Sequence, residues 1–389
     1  MRRPDLRKTI ALKFASTHLA KANQMLSTND HATALHYAKR AADSFAKWSP
    51  QSSNLARSLT RAAIAQQRLG QLESARRDID EAVTNFRQLR LPAGLSAALT
   101  VQAGLQRLSG DLDGAMTGFR EAFRLARSPM WDENDGARVL IEATAQEGIG
   151  SVHLSRGEPV QALSYFHKAL IDYEKDPRGL TGAALVLSDI GKAHLAMHQP
   201  EQALQFFEQC LETSEASANP LGAVNALVGI GSVHKQSGRL EPALSFFDQA
   251  QDIIEKLRTD SLLAARVQRL IGETSLDMDN REKARNATGQ ALAVASRIAP
   301  RSMEMARCLL AVGRVALAFG ELLQATESFK QALAVAQTAA LTSDETLEAL
   351  KDLSNTLALM GDLTSAASYG SRAASIEALR ATPPRTPDN

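Results

Sequence analysis

One small-residue slot recurs along this chain at an almost fixed interval. Ala162, Ala203, Ala243, Ala284, Ala325 and Ala366 follow one another at 41, 40, 41, 41 and 41 residues. A fixed period of this size is the signature of a solenoid, in which each repeat packs only on its neighbours, so a chain of 389 residues needs no single large core. The array extends towards the N-terminus, where Ala34, Ala75 and Ala115 continue it at spacings of 41 and 40, with turns at Asn29-Asp30, Gly70 and Gly110. Ala115 to Ala162 is 47 residues, and the surplus falls in the turn-rich, acidic stretch 128–136 that contains Trp131. Nine repeats are expected.

Inside each repeat, apolar and small residues recur at three- and four-residue steps, as in Leu187, Ile190, Gly191 and His194, so both halves read as amphipathic helices. Gly157, Gly238, Gly320 and Gly361 sit where a first helix ends and a left-handed residue closes the last turn. Pro159, Pro200 and Pro242 sit where a second helix begins and no backbone N–H is needed. No segment alternates as a strand would. The expected organisation is an N-terminal extension over 1–8, an all-α helix-turn-helix array over 9–381 interrupted near 128–136, and a Pro-rich tail over 382–389.

The repeated residues resemble those of the tetratricopeptide repeat family. The fourth repeat carries Ile149, Gly150, His153, Ala162, Phe166 and Ala169, and the sixth carries Leu227, Ile230, Gly231, His234, Ala243, Phe247 and Ala250. The family period is about 34 residues. Here it is near 41, so each helix should run to about 17 residues and about 25 Å. Longer repeats of this kind resemble those of kinesin light chains, Pins-type spindle adaptors and bacterial tetratricopeptide regulators. The resemblance implies a right-handed α-solenoid of nine tandem repeats that holds a peptide or protein segment in a concave groove.

Charge and composition narrow the chemistry. Lys and Arg number 44 against 43 Asp and Glu, so total charge demands neither nucleic acid nor a membrane surface. With only 5% aromatic residues, stacking of single-stranded nucleic acid is poorly served. Cys210 and Cys308 lie in apolar helical patterns far apart in the array, which points to buried thiols and a reducing, cytoplasmic setting. The N-terminus reads as neither a signal peptide nor a membrane span.

The conspicuous constellations mostly resolve into packing. Gly148-Ile149-Gly150 and Gly229-Ile230-Gly231 open like a dinucleotide fingerprint but lack both the third glycine and the preceding strand. His153, His194 and His234 share one slot in successive repeats. Neighbouring slots lie about 10 Å apart, too far for a shared zinc, so they are assigned to packing between helices and no metal or cofactor is expected. Trp131 either anchors a partner or, more readily, covers the irregular junction. No catalytic motif appears.

What remains is a first-helix stripe spaced i, i+3, i+7, i+10, which in this fold lines the groove. It carries nine basic residues (Arg57, Arg107, Lys192, Lys235, Arg266, Arg269, Arg307, Arg314 and Lys351) against three acidic ones (Glu147, Glu273 and Glu348). Arg266, Arg269, Arg307 and Arg314 form the sharpest cluster, suited to forked bonds with carboxylates; internal Arg–Glu pairing on a solvated face is the competing reading. Asn23, Asn225 and Asn355 could hold a peptide backbone. The expected function is a non-enzymatic adaptor or regulator whose groove, through Arg266, Arg269, Arg307, Arg314, Lys192, Asn225, Lys235, Lys351 and Asn355, takes a protein or peptide segment of acidic character. Nucleic-acid binding through the same stripe and self-association through a terminal repeat are the alternatives.

Overall fold

The structure, a computed structural model, describes residues 6–27, 30–128, 136–257, 261–339 and 343–381. Every regular element among them is helical. The helices are α1 (Leu6–Ser27), α2 (His31–Trp48), α3 (Ser53–Arg68), α4 (Leu72–Leu89), α5 (Pro92–Leu108), α6 (Leu112–Ala126), α7 (Gly136–Ser155), α8 (Pro159–Glu174), α9 (Leu180–Ala196), α10 (Pro200–Ala216) and α11 (Pro220–Gln236). They continue with α12 (Leu240–Leu257), α13 (Leu262–Asp277), α14 (Arg281–Ile298), α15 (Met303–Ala318), α16 (Leu322–Ala339), α17 (Asp344–Leu359) and α18 (Leu363–Ala381). These are nine helix pairs, an all-α solenoid. The first helix starts at Leu6 rather than Thr9. Trp131 and the tail 382–389 lie outside the described residues.

The packing divides the chain into two compact units, Met1–Val233 and His234–Asn389. The interruption near 128–136 is not that division, because α6 and α7 on its two sides pack on each other within the first unit.

In both units first helices pack against their own second helices, as α9 on α10 and α13 on α14, and touch the next first helix: α1 with α3, α3 with α5, α5 with α7 and α7 with α9, then α13 with α15 and α15 with α17. No two second helices approach as closely. Odd-numbered helices therefore form the crowded inner layer of each unit, and what they do not bury among themselves forms its inner face.

Turn chemistry sets the pairs. Gly70, Gly110, Gly157, Gly238, Gly320 and Gly361 all have positive φ, between 71° and 86°. At Gly70 the closing bonds run from Gly70 N–H to the Gln67 carbonyl (3.1 Å) and from Gln71 N–H to the Gln66 carbonyl (2.8 Å), which satisfies the last carbonyls of α3. In the fifth and seventh repeats the same left-handed slot is occupied by His198 (φ 56°) and Asp279 (φ 57°). The flanking helices impose it there, at a local cost of about 1 kcal/mol.

Between the layers, small residues make room for rings. Ala162, Ala203, Ala243, Ala284 and Ala325 are fully buried, as are Phe166, Phe207, Phe247 and Phe329 four residues after four of them. A Cβ on Gly150 or Gly191 would stand 2.7 Å from the ring of Phe166 or Phe207, and one on Gly148 or Gly229 closer still to Phe119 or Phe207. The Gly-Ile-Gly sequence at 148–150 thus seats two rings from neighbouring repeats, and is packing rather than a phosphate loop. The seventh repeat has Thr288 where the third to sixth and the eighth have Phe, and a cavity of about 240 Å³ opens there among α14, α15 and α16.

Candidate functional site on the first-helix faces

Three histidines illustrate how the structure separates packing from site. His153 stacks on Tyr165, His194 on Phe206 and His234 on Phe246, with ring centroids 5.3–5.5 Å apart and planes within 13°. His153 Nδ1 also bonds Glu158 Oε2 at 2.6 Å, and His194 Nδ1 bonds Gln199 Oε1 at 2.7 Å. Each ring is spent on joining first helix to second. Burial raises the Cys210 and Cys308 thiols to about 11 and about 12, which keeps both unreactive.

The arginines predicted to act together are together. Arg266, Arg269, Arg307 and Arg314 line one cavity of about 370 Å³ in the second unit, with Leu310, Glu273, Glu345 and Glu348. The carboxylates are the unexpected part. Arg269, only 7% exposed, donates from Nε to Glu304 Oε1 and from Nη1 to Glu273 Oε1, both at 2.7 Å. Burial pulls its pKa down, but Glu304 and Glu273 overcome that and hold it above the ordinary value. Burial likewise works against the Glu273 carboxylate, yet Arg269 and Lys235 hold its pKa below the usual range. Arg307 meets Glu345 at 2.6 Å, and Arg314 bridges Glu348 at 2.8 Å and Asp352 at 2.9 Å.

The other predicted positions follow the same pattern. Lys235 lies 3.4 Å from Glu273 and 3.3 Å from Asp277, and Lys351 pairs with Glu377 at 2.6 Å. In the first unit Lys192 pairs with Asp189 at 2.7 Å. Asn225 is half-buried on α11, and Asn355 is exposed on α17. The basic stripe of the second unit is thus largely an internal network. It is a polar, charge-balanced cavity rather than a cationic one, because Glu304, Glu345 and Asp352 reach it from the neighbouring first helix.

The first unit differs. On α3, Arg57 and Arg68 are exposed and Arg61 is half-buried; on α5, Arg107 is half-buried. Among the described residues none of these four has a carboxylate within ion-pair distance. Arg61 Nε donates to Asn23 Oδ1 of α1 at 2.6 Å. Neighbouring helices strip enough water from Arg61 and from the otherwise exposed Arg68 to lower the pKa of each. Deeper in the same unit Glu147 accepts a 2.7 Å bond from the Tyr173 hydroxyl, whose oxygen is also 2.9 Å from Thr144 Oγ1. Desolvation, then repulsion from Asp189, push the Glu147 carboxyl up to about 7 despite the opposing pull of Tyr173, Arg107 and Arg68. The stripe read from sequence includes Arg57 and Arg107 but passes over Arg61 and Arg68. The visible signal for them is that 57, 61 and 68 lie at i, i+4, i+11 on one helix face.

Among the described residues no helix is long and apolar enough to cross a membrane. The Tetratricopeptide repeat family description matches residues 141–216 and 222–297. Among curated proteins no relative matches. A solved Rap protein complexed with Competence and Sporulation Factor is 14% identical, with a TM-score of 0.66 over 93% of this chain and 97% of that one. The Rap conjugation gene regulator of plasmid pLS20 in complex with the Phr* peptide is 14% identical, TM-score 0.61, over 97% and 99%. The apo quorum sensor NprR from B. thuringiensis is 12% identical, TM-score 0.59, over 93% and 98%. Likeness at this identity speaks for the fold. Residues 141–216 and 222–297 thus match the tetratricopeptide repeat family, and the same helix pair recurs on both sides of them.

Proposed function

We propose that the chain is a non-enzymatic regulatory scaffold that binds a peptide or protein segment on the inner face of its first helices. The observation that carries this reading is a division of labour within each repeat. Buried rings and alanines hold the helices together, while the inner face presents polar and charged side chains, from Arg57, Arg61 and Arg68 in the first unit to the cavity around Arg266 in the second. Two structurally similar proteins were solved with a peptide or factor bound, which supports the same use of the fold. The preference for acidic character rests on Arg57, Arg61, Arg68 and Arg107 of the first unit, which have no carboxylate at ion-pair distance; Arg269, Arg307 and Arg314 of the second are already neutralised by Glu273, Glu304, Glu345, Glu348 and Asp352.

A photo-crosslinking amino acid placed at Leu195, half-buried on α9, should trap a partner from native lysate. One placed at Val160, exposed on second helix α8, should not. The same partner trapped from Val160 and nothing from Leu195 would move binding to the outer layer and end this reading.

A further inference from the structure

The row Arg57, Arg61 and Arg68 has an unusual standing in this molecule. In the second unit several inner-face cations meet a carboxylate on an adjacent first helix. Lys235 to Glu273, Arg307 to Glu345 and Arg314 to Asp352 each span 38 residues. The corresponding positions after Arg57, Arg61 and Arg68, at 37 or 38 residues, are Gly94 and Leu95, Ala98 and Leu99, and Leu105 and Gln106. No anion is available where the array would supply one. On the other side, α1 offers Arg61 only the neutral Asn23. Arg57 also lies close enough to Arg61 to lower its pKa by repulsion, and Glu147 acts on Arg68 only from beyond ion-pair distance, so the row crowds like charges with no carboxylate in direct contact among the described residues.

Beside this row the next first helix is small and apolar. Ala97, Val101 and Gly104 of α5 are half-buried, and a Cβ added at Gly104 would meet only the Gln67 amide, at 3.8 Å. The three guanidinium groups are spaced by about 6 Å and then about 10 Å along α3, from the 1.5 Å rise per residue. Arg107 continues the positive surface on α5, and Glu147 marks its end on α7.

From this arrangement we infer that the α3–α5 face is the docking site for an acidic segment of another protein, one whose carboxylates lie along Arg57, Arg61 and Arg68 and whose apolar side chains settle against Ala97, Val101 and Gly104. The inference rests on the peptide-binding reading above and places its acidic preference in the first unit. Charge complementarity argues for the occupant: crowded, partly desolvated guanidinium groups gain most from forked bonds to carboxylates. The apolar strip beside them carries no aromatic ring on which a nucleobase could stack, which favours a protein segment over a nucleic acid.

The test is the full chain probed on an immobilised array of random 12-residue peptides, with the best binder then titrated by fluorescence anisotropy. Retained peptides should be enriched in Asp and Glu with apolar residues between them. The best should lose about 30-fold in affinity in the triple variant Arg57→Ser/Arg61→Ser/Arg68→Ser, and less than about 3-fold in Arg76→Ser, at an exposed position on the second helix α4. Peptides without acidic enrichment, or a best binder untouched by the triple variant, would overturn the inference while leaving peptide binding standing. An array that retains nothing would sink the peptide-binding reading itself. A 20-nucleotide single strand that binds more tightly than any peptide, and is lost in the triple variant, would overturn the choice of a protein partner. Circular dichroism monitors folding of the triple variant, and the single variants Arg57→Ser and Arg68→Ser, at exposed positions, carry the same expectation at about 3-fold each.

Discussion

The two units set arginines on equivalent faces and use them in opposite ways. In the second, Arg269, Arg307 and Arg314 are held by five carboxylates, two of them only about 9% exposed. In the first, the exposed Arg57 and Arg68 and the half-buried Arg61 lie beside a helix that carries no carboxylate. The fold is the same in both, so the difference lies in what the next repeat places one period on. A cation answered by a carboxylate becomes a cross-repeat tie, whereas one answered by Leu or Gly is left to a ligand. A basic stripe counted on single helices cannot distinguish these cases.

The largest effect that would test this contrast is on stability. Arg269→Ala strands Glu273 and Glu304 in a buried setting and should cost about 3–5 kcal/mol, against under about 1 kcal/mol for Arg61→Ala, which loses a single bond to Asn23. Denaturant unfolding, with hydrogen exchange to localise the loss to α13 and α15, reads both. Equal losses would break the comparison.

A smaller effect sharpens the account of the first unit. The Glu147 carboxyl stands near 7 in the folded chain against an ordinary 4.5, so between those values the folded state holds a proton that the unfolded state has released. Its contribution to stability is present at pH 5 and is lost as pH rises through 7. Glu147→Gln should therefore raise the melting temperature relative to the parent by a few degrees at pH 8 and by little or nothing at pH 5. A difference that is the same at both values would remove the desolvated carboxyl from the account.

Much of the fold is legible in the sequence because it is written as a period. The alanine slot, the Phe four residues later and the Gly that ends most first helices recur often enough to locate nine helix pairs. The left-handed turns at His198 and Asp279 are not legible one residue at a time, since their neighbours impose them. The division inside α11 leaves no mark in the period. For the site, the convergence of Arg266, Arg269, Arg307 and Arg314 is legible from their shared stripe. Their neutralisation is not, because Glu304, Glu345 and Asp352 reach them from the next first helix and off that stripe. Such partners lie 34 to 38 residues further on, and the structure is needed to see which of those positions meet.

The most direct measurement is the rate at which each arginine reacts with a dicarbonyl reagent, read site by site by mass spectrometry on the folded chain without ligand. Arg57 and Arg68 should be modified at least about tenfold faster than Arg269, with Arg307 and Arg314 also slow, because their forked bonds to carboxylates occupy the nitrogens that must react. Arg307 and Arg314 modified as fast as Arg57 would show that the second unit's arginines are as available as the first's, and the distinction between ties and ligand-binding groups would fall.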